Sequence, residues 1–356
     1  MVVLDKIGDG LWNAFQMGWE VWWALVLGFA LSAVVQALVP HSRMQAALGG
    51  SGLRPMTYAT GLGAASSSCS YAAVAIGRSI FAKGGSFTTA MAFQFASTNL
   101  VFELGIVLWV FIGWRFTAAE LVGGVILIAL MWLGLRLTVT RRLEAHARAR
   151  AEAMKGGHHH GAGGIPHNFL HDWKMLWKEI VIGFVIAGFI ALLPADFFNR
   201  LFVTDAPEGV RLIENVIVGP LVAVASFVCS VGNVPLAAVL WAGGISFAGV
   251  IAFIYADLII IPLVIFYAKA YGKPVTVRLV GVMFVAMATA ALIVDGIFSA
   301  AGLVPTKRPS IDSVASRGIE WNYTTVLNIL AFLAAGTLFW LARRERAAAR
   351  AAAAGV

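Results

Sequence analysis

The chain contains two cysteines, and they occupy equivalent positions of an internal repeat. Cys69 and Cys229 are 160 residues apart (229 − 69 = 160), and each is followed by a serine, Ser70 or Ser230. The same spacing relates five further identical pairs, namely Gly84/Gly244, Ser86/Ser246, Phe87/Phe247, Phe93/Phe253 and Ala96/Ala256. A thiol is a soft ligand that suits thiophilic solutes such as trivalent arsenic. The repeat therefore predicts a paired Cys-Ser site, the alternative being that both cysteines are small packing residues.

Both cysteines fall in apolar segments that small or polar residues interrupt, at 66–70 and at 229–233. Non-helical backbone at membrane depth is tolerated only where it is buried in protein or lines a wet cavity. Helix N-termini that follow such interruptions favour anions or electron-rich oxygens. We therefore expect the interruptions to bind substrate through Ser68, Cys69, Ser70, Cys229, Ser230 and Asn233. The alternative is a helix-packing seam of small residues.

Further polar side chains lie inside apolar segments. Gln94, Asn99 and Glu103 fall on one of them, where the spacing of Asn99 and Glu103 predicts a shared helical face. Asp257 lies in the middle of another, and an ionisable residue at that depth is by default a functional-site hypothesis. We expect Gln94 and Asn99 to contact substrate, and Asp257 and Glu103 to carry protons. The alternatives are an ion pair with Arg78, which we expect instead to snorkel to the surface, or a wet position for Glu103.

The composition indicates that membrane-spanning helices position these residues. Of 356 residues, 60% are hydrophobic and 12% are charged, whereas a soluble domain carries about 25% charged residues. The mean hydropathy is +0.84. The net charge of +8 comes from Lys and Arg at the ends of apolar runs, which is typical of topology signals and not of nucleic-acid binding. We expect no disulfide framework and no cleavable signal.

Apolar segments of about 20 residues predict the spans. A surface helix over 2–17 is expected to precede spans at 19–39, 86–112, 118–138, 177–194, 247–268, 277–300 and 323–342. The interrupted segments 55–83 and 215–243 are predicted to enter and leave on one side, and their full crossing is the rival topology. The expected fold is all-α: a polytopic membrane protein of about eight spanning helices plus two broken re-entrant hairpins.

Four regions follow from this pattern: a first membrane repeat (1–139), a basic His/Gly linker (140–174), a second membrane repeat (175–302) and an extra C-terminal span with a tail (303–356). Lys and Arg counts predict that the linker and the C-terminus are cytoplasmic. If the linker and the C-terminus lie on the same side, the chain between them crosses the membrane an even number of times. With one re-entrant hairpin in each repeat, the two repeats then have opposite orientations. We therefore expect an inverted internal repeat and alternating access, with a mobile linker over 140–172.

Several motifs resemble one family of membrane proteins. The stretches Ala64–Ala73, Ala92–Phe93, Ala96–Leu104, Cys229–Ala237 and Gly243–Phe247 resemble the predicted-permease family that includes the ArsP-type organoarsenical efflux permeases. The resemblance implies an inner-membrane protein of about eight spans and, as in characterised relatives, export of trivalent organoarsenicals. It carries over Cys69, Ser70, Cys229, Ser230 and Pro235 as motif positions, although Ala75 stands in the first repeat where Pro235 stands in the second.

The expected function is secondary transport. We predict a permease that exports a small thiophilic solute, such as a trivalent organoarsenical, by alternating access with proton exchange. The alternative is a permease for another small anion or sulfur compound, with the cysteines only structural. A membrane-embedded enzyme is disfavoured, because the sequence lacks a zinc-protease motif, a nucleotide loop and a nucleophile elbow. We expect no cofactor, no metal site and no nucleic-acid partner; the partners are a small-molecule substrate and the lipid bilayer, and a homo-oligomer is left open.

Overall fold

The computed structural model describes the chain as a bundle of α-helices. The described residues are 2–38, 41–66, 69–154, 164–190, 192, 197, 200–203, 207–226, 230, 233–308 and 323–354. Within these ranges the regular elements are helices, and no β-strand occurs among them. The all-α prediction is therefore confirmed for the described part of the chain.

The helices follow one another in two similar series. The first is α1 (Val2–Leu38), α2 (His41–Leu48), α3 (Leu53–Ser66), α4 (Ser70–Ala82), α5 (Phe87–Asn99), α6 (Phe102–Ile112) and α7 (Trp114–Thr138), and α8 (Arg141–Ala153) follows it. The second is α9 (Gly164–Ile190), α10 (Glu208–Ser226), α11 (Asn233–Ala242), α12 (Phe247–Tyr255) with a 3-10 turn (Ala256–Leu258), α13 (Ile261–Tyr271) and α14 (Lys273–Ala300), followed by α15 (Tyr323–Ala354).

The repeat seen in the sequence recurs in the helix boundaries. Helices α3 and α10 end at the equivalent residues Ser66 and Ser226, and α5 and α12 begin directly after Ser86 and Ser246. Each of these two serines caps its helix, because its side-chain oxygen accepts the backbone N–H three residues later. The helices therefore begin and end where the repeated residues dictate.

Packing follows the same pattern. Helix α5 packs against α3, α4 and α7, and its counterpart α12 packs against α10, α11 and α14. Equivalent helices also pack on each other, α1 against α9 and α7 against α14. Helix α15, which we expected to have no counterpart in the first half, packs against α1 and α9. The two series thus form one bundle around a shared buried centre.

Four helices are long and apolar enough to cross a membrane: Trp114–Thr138, Glu208–Ser226, Lys273–Ala300 and Thr324–Arg344. The number rises to six if each of two bent pairs of helices is one span. One such pair is Phe247–Leu258 with Ile261–Tyr271, which bends by 43°. The chain therefore has four to six candidate spans among its described residues, and the count of eight and the inverted orientation remain predictions.

The structure differs in detail from three sequence expectations. Residues 2–38 form one helix and not a surface helix followed by a span, because no proline interrupts the backbone hydrogen bonds before Pro40. The segments 86–112 and 247–268, each expected to be a span, both contain a break between two helices, and the second remains a candidate span as a bent pair. In the first, the side chains of Ser97, Thr98 and Asn99 bond to carbonyls of their own helix, which competes with helix continuation. In the second, a proline at the start of α13 ends the preceding helix.

The segment expected to be a mobile linker contains helical structure. Helix α8 covers its beginning, with Ala147 and Ala151 buried, and α9 begins at Gly164. Residues 155–163, including His158–His160, lie outside the described residues. The Ala, Arg and Glu content of α8 explains the helix, because these residues have high helix propensity.

Two arginines at the repeat spacing hold the ends of the short central helices. Arg148 lies 4.3 Å over the ring of Phe81 and donates to the carbonyls of Phe81 and Gly85. Arg308 lies 4.0 Å over the ring of Trp241 and donates to its carbonyl at 2.5 Å. Cationic side chains bind favourably to the carbonyls at a helix C-terminus. The ends of α4 and α11 are therefore fixed by equivalent contacts.

Candidate functional site

The centre of the bundle holds a cluster of two serines and one aspartate. Ser70 is the first residue of α4, Ser230 shortly precedes α11, and Asp257 lies in the 3-10 turn after α12. Ser70 Oγ donates to Asp257 Oδ2 at 2.8 Å, and Ser230 Oγ donates to the same oxygen at 2.5 Å. The two serine oxygens are 3.2 Å apart. The internal repeat thus brings equivalent hydroxyls from both halves onto one carboxyl.

Local structure explains why Ser70 is available for this contact. Cys69 is the N-cap residue of α4, with extended backbone angles, but its side chain makes no capping hydrogen bond. The first turn of a helix carries unpaired N–H groups and a partial positive charge, which favours an acceptor or an anion nearby. The hydroxyl of Ser70 points from this turn to Asp257, so the helix end and the carboxyl are electrostatically matched.

The described residues bind the two carboxyl oxygens of Asp257 unequally. Its side chain is fully buried, and Oδ2 accepts both serine hydroxyls, whereas no hydrogen bond satisfies Oδ1 among the described residues. Thr98 also interacts with this side chain. A buried polar atom without a partner carries a desolvation cost of about 1–3 kcal/mol. The open oxygen is therefore a suitable place for a proton or for a donor of a bound solute.

Asn99 lies beside this cluster at the end of α5. Its Nδ2 donates to Thr98 Oγ1 at 2.9 Å and to the carbonyl of Phe95 at 3.2 Å, and its Oδ1 has no partner among the described residues. The prediction that Asn99 and Glu103 share a helical face was wrong, because α5 ends at Asn99 and Glu103 belongs to the next helix, α6. The side chain of Glu103 is outside the described part of the structure.

Two buried amides complete the set of predicted polar residues. Asn233 is the first residue of α11 and is fully buried, and neither of its amide atoms has a partner among the described residues. Gln94 Oε1 accepts the hydroxyl of Tyr267 at 3.2 Å, and its Nε2 has no described partner. Gln94 also packs against Gly77, where a β-carbon would overlap its side chain. Both amides are thus buried, but no described contact joins them to Asp257.

The predicted cysteine pair is described only in part. Cys69 is half-buried and directly precedes Ser70. Cys229 and Ser68 lie outside the described residues. The roles assigned to the two thiols and to Ser68 therefore remain predictions.

Comparison with known proteins gives the family. A family model named ArsP_1 and described as a predicted permease matches residues 13–296. The chain belongs to this family. Over 325 residues this permease is 45% identical to "Putative permease Rv2963" of Mycobacterium tuberculosis (strain ATCC 25618 / H37Rv), a match that covers 85% of the chain and 79% of the relative. No solved structure matches significantly. Family and apolar helices together support a membrane transport protein over an enzyme.

The structure corrects the expectation for Arg78, which does not snorkel. The side chain is 1% exposed and forms an ion pair with the equally buried Asp172, with 3.1 Å between Nη2 and Oδ1. Asp172 Oδ2 accepts hydrogen bonds from Ser32 at 2.6 Å and from Gln36 at 2.7 Å. This pair was not predicted from the sequence, because Asp172 lies among basic residues that are typical of a linker. Arg78 is therefore not a partner of Asp257.

Glu120 of the permease was not predicted from the sequence either. This residue lies on α7 and is 1% exposed, and neither carboxyl oxygen has a hydrogen-bond partner among the described residues. It interacts electrostatically with Asp257 and with Tyr255. The sequence carried a signal, since Glu120 stands near the start of an otherwise apolar segment. Because Glu120 lies near the end of a predicted span, a position at the membrane surface is an equally good interpretation of the sequence.

Proposed function

We propose that this permease is a proton-coupled secondary transporter that exports a small thiophilic solute, such as a trivalent organoarsenical. The observation that carries the proposal is the convergence of Ser70 and Ser230 on the buried carboxyl of Asp257. Transporters built from two repeats place their substrate and coupling-ion sites where the repeats meet, commonly at the ends of discontinuous helices. The cluster has this character, because Ser70 begins a short helix and Ser230 shortly precedes one.

The proton step is assigned to Asp257. In its charged form this carboxyl accepts both serine hydroxyls, and hydrogen bonds to a charged group contribute about 1.5–3 kcal/mol each. In its protonated form Oδ1 becomes a donor, and Oδ2 accepts the two hydroxyls more weakly because it no longer carries a negative charge. Proton binding thus loosens the hold on both hydroxyls at the meeting point of the repeats. Such a change is what coupling between a proton and a cargo requires.

The nature of the cargo is proposed from the thiols. Cys69 and Cys229 directly precede the two serines in the sequence, and a thiolate is a preferred ligand of soft, thiophilic centres. The resemblance to organoarsenical permeases points to the same chemistry. With alternating access between oppositely oriented repeats, an inner-membrane location and a cytoplasmic linker and C-terminus, the solute would leave the cell against the entry of protons.

A second candidate is favoured by the amides. Asn99 Oδ1 and both amide atoms of Asn233 are buried without partners among the described residues. Such atoms suit a solute that donates and accepts hydrogen bonds, for example a small anion or a polar sulfur compound. In that case the hydroxyls and amides would bind the cargo, and the cysteines would only pack.

The two candidates differ in their dependence on the thiols. Everted membrane vesicles from cells that express the full chain would be energised and tested for accumulation of a trivalent methylarsenical. We expect accumulation by the wild type and its loss in the double variant Cys69→Ser/Cys229→Ser, with Ser226→Ala as the matched control. Ser226 is a suitable control because it is buried and donates to the carbonyl of Ala223 in its own helix. Full accumulation by the cysteine-free variant would favour the second candidate, and no accumulation by the wild type would exclude the arsenical.

A further inference from the structure

We propose that Glu120 is a second proton-binding carboxyl of the permease and that it acts as a pair with Asp257. The inference deepens the proposed function and rests on it, because it assigns a second group to the coupling proton. Its basis is the burial of Glu120, the lack of any described partner for its oxygens and its electrostatic interaction with Asp257. The ligand is a proton and not a solute.

Glu120 is held close to the turn that carries Asp257. Tyr255 precedes that turn, and its hydroxyl donates to the carbonyl of Ala119 at 3.2 Å. A β-carbon at Gly123, one turn further along α7, would overlap the same hydroxyl. Helix α7 therefore approaches the end of α12 without intervening side chains. The contact places Glu120 beside the elements that form the Asp257 cluster.

No described basic side chain compensates Glu120. The buried basic residues of the described part are Arg78 and Lys83. Arg78 forms the ion pair with Asp172. Lys83 donates to the carbonyls of Val35 and Gln36. Both positive charges therefore have partners on helices α1 and α9, and neither compensates the charge of Glu120.

The other groups around α7 do not supply a counter-charge. Helix α5 carries no titratable residue, and α12 with its turn carries Tyr255 and Asp257, neither of which is a cation. Helix α6 carries Glu103, and α14 carries Lys273 and Arg278 in its first two turns and an acid, Asp295, near its other end. On α7 itself, Arg115 lies 5.9 Å from the Trp114 ring and Arg136 lies 5.7 Å from the Trp132 ring. Among the described residues, Asp257 and Tyr255 interact electrostatically with Glu120.

Asp172 shows what a charged carboxyl requires in this bundle. It has one arginine and two hydrogen-bond donors, and both of its oxygens are satisfied. Glu120 has the same burial and none of these described partners. Two neighbouring buried carboxyls without a cation cannot both be charged, because burial and mutual repulsion each disfavour the charged forms. The pair is therefore expected to hold at least one proton.

Infrared spectroscopy tests the assignment without any transport measurement. The purified full-length protein in lipid vesicles would be titrated while the carbonyl stretching band of protonated carboxylic acids is recorded. We expect such a band at neutral pH and expect Glu120→Gln to remove a part of it, with a second part lost in Asp257→Asn. Glu152→Gln is the matched control, because Glu152 is exposed on α8. The conservative variant Glu120→Asp should keep an acid and shift the band.

The outcomes separate this inference from the proposed function. A band that is unchanged in both Glu120→Gln and Glu120→Asp would overturn the role of Glu120, even if transport is proton-coupled through Asp257. A band that responds to sodium ions and not to pH would also overturn it, because the pair would then bind a metal cation. Loss of part of the band in Glu120→Gln supports the inference even if the cargo is not an arsenical. If the glutamine variant does not fold, the shift in Glu120→Asp decides.

Discussion

Ser70 and Ser230 lie 160 positions apart in the sequence, yet their hydroxyl oxygens are 3.2 Å apart and both hydroxyls donate to Asp257 Oδ2. The two serines therefore contribute from equivalent places in two copies of one structural unit. The acceptor breaks the symmetry, because the position equivalent to Asp257 in the first copy is Ser97, whose hydroxyl donates to the carbonyl of Gln94 at 2.9 Å. At this position the duplicated scaffold therefore carries a carboxyl in the second copy and a hydroxyl in the first.

The first prediction concerns the equivalence of the two serines. Ser70→Ala and Ser230→Ala each remove one hydrogen bond to a charged group, a loss of about 1.5–3 kcal/mol. We expect each to slow transport about tenfold or more, since each 1.4 kcal/mol corresponds to about a factor of ten. The initial rate of cargo accumulation in everted vesicles is the measurement. The double variant should slow transport by less than the product of the two single-variant factors, because both serines donate to one acceptor.

Ser226→Ala provides the comparison for both serines. The residue is buried like them, but its hydroxyl bonds only within its own helix among the described contacts. Its replacement removes no described hydrogen bond to Asp257, so the rate should stay within about a factor of two, which corresponds to about 0.4 kcal/mol. Equal losses in all three variants would indicate general destabilisation and would contradict a special role for the serine pair.

The second prediction concerns the proton step at Asp257. Asp257→Asn keeps an oxygen that can accept the serine hydroxyls but removes the group that binds and releases a proton. We expect this variant to lose accumulation driven by a pH gradient while it still exchanges labelled for unlabelled cargo across the membrane. Reconstituted vesicles with and without a pH gradient measure both activities. Accumulation by Asp257→Asn that still follows the pH gradient would show that another residue couples transport.

The internal repeat was the most reliable guide to the fold. The interruptions predicted around Cys69 and Cys229 correspond to the helix ends at Ser66, Ser70, Ser226 and Asn233. The sequence did not reveal that α5 and α12 end near the bundle centre. Those ends depend on short-range bonds from Thr98 and Asn99 to their own helix and on a proline at the start of α13. An apolar window of about 20 residues does not detect such breaks.

Residues of the candidate site could be predicted only where their type or their position in the repeat distinguished them from the apolar residues around them. Asp257 did so as a charge inside an apolar run, and the serines did so through the repeat. Asp172 and Glu120 did not, because Asp172 lies in the predicted linker and Glu120 lies near the end of a predicted apolar run, where a charge ordinarily meets water. Whether such a residue is buried depends on which helices pack over it, and this is a property of the tertiary arrangement.

The third prediction concerns the buried ion pair of Arg78 and Asp172. Arg78→Met leaves the carboxyl of Asp172 buried without its counter-charge, and breaking a buried pair from one side costs about 3–5 kcal/mol. We expect a lower midpoint of thermal unfolding for the detergent-purified protein. The double variant Arg78→Met/Asp172→Asn should recover most of the loss, because it removes the second charge as well. Arg142→Met, at an exposed position of α8, should have no effect, and a double variant as unstable as the single one would contradict this account.

The fourth prediction concerns the opposite orientation of the two repeats. Arg148 and Arg308 hold the ends of α4 and α11 by equivalent contacts, so an inverted repeat requires that they lie on opposite sides of the membrane. In that arrangement we expect Arg148 on the cytoplasmic side and Arg308 outside the cell.

Neighbouring positions report the two sides directly. In a background of Cys69→Ser and Cys229→Ser, the exposed residues Ala149 and Lys307 would be replaced one at a time, by Ala149→Cys or Lys307→Cys. A membrane-impermeant maleimide should then label the Lys307→Cys protein in intact cells and the Ala149→Cys protein only in everted vesicles. Labelling of both from the same side would exclude the inverted arrangement. The duplicated contacts of Arg148 and Arg308 would then describe a parallel repeat, which places both helix ends at one surface and requires a different route for the cargo.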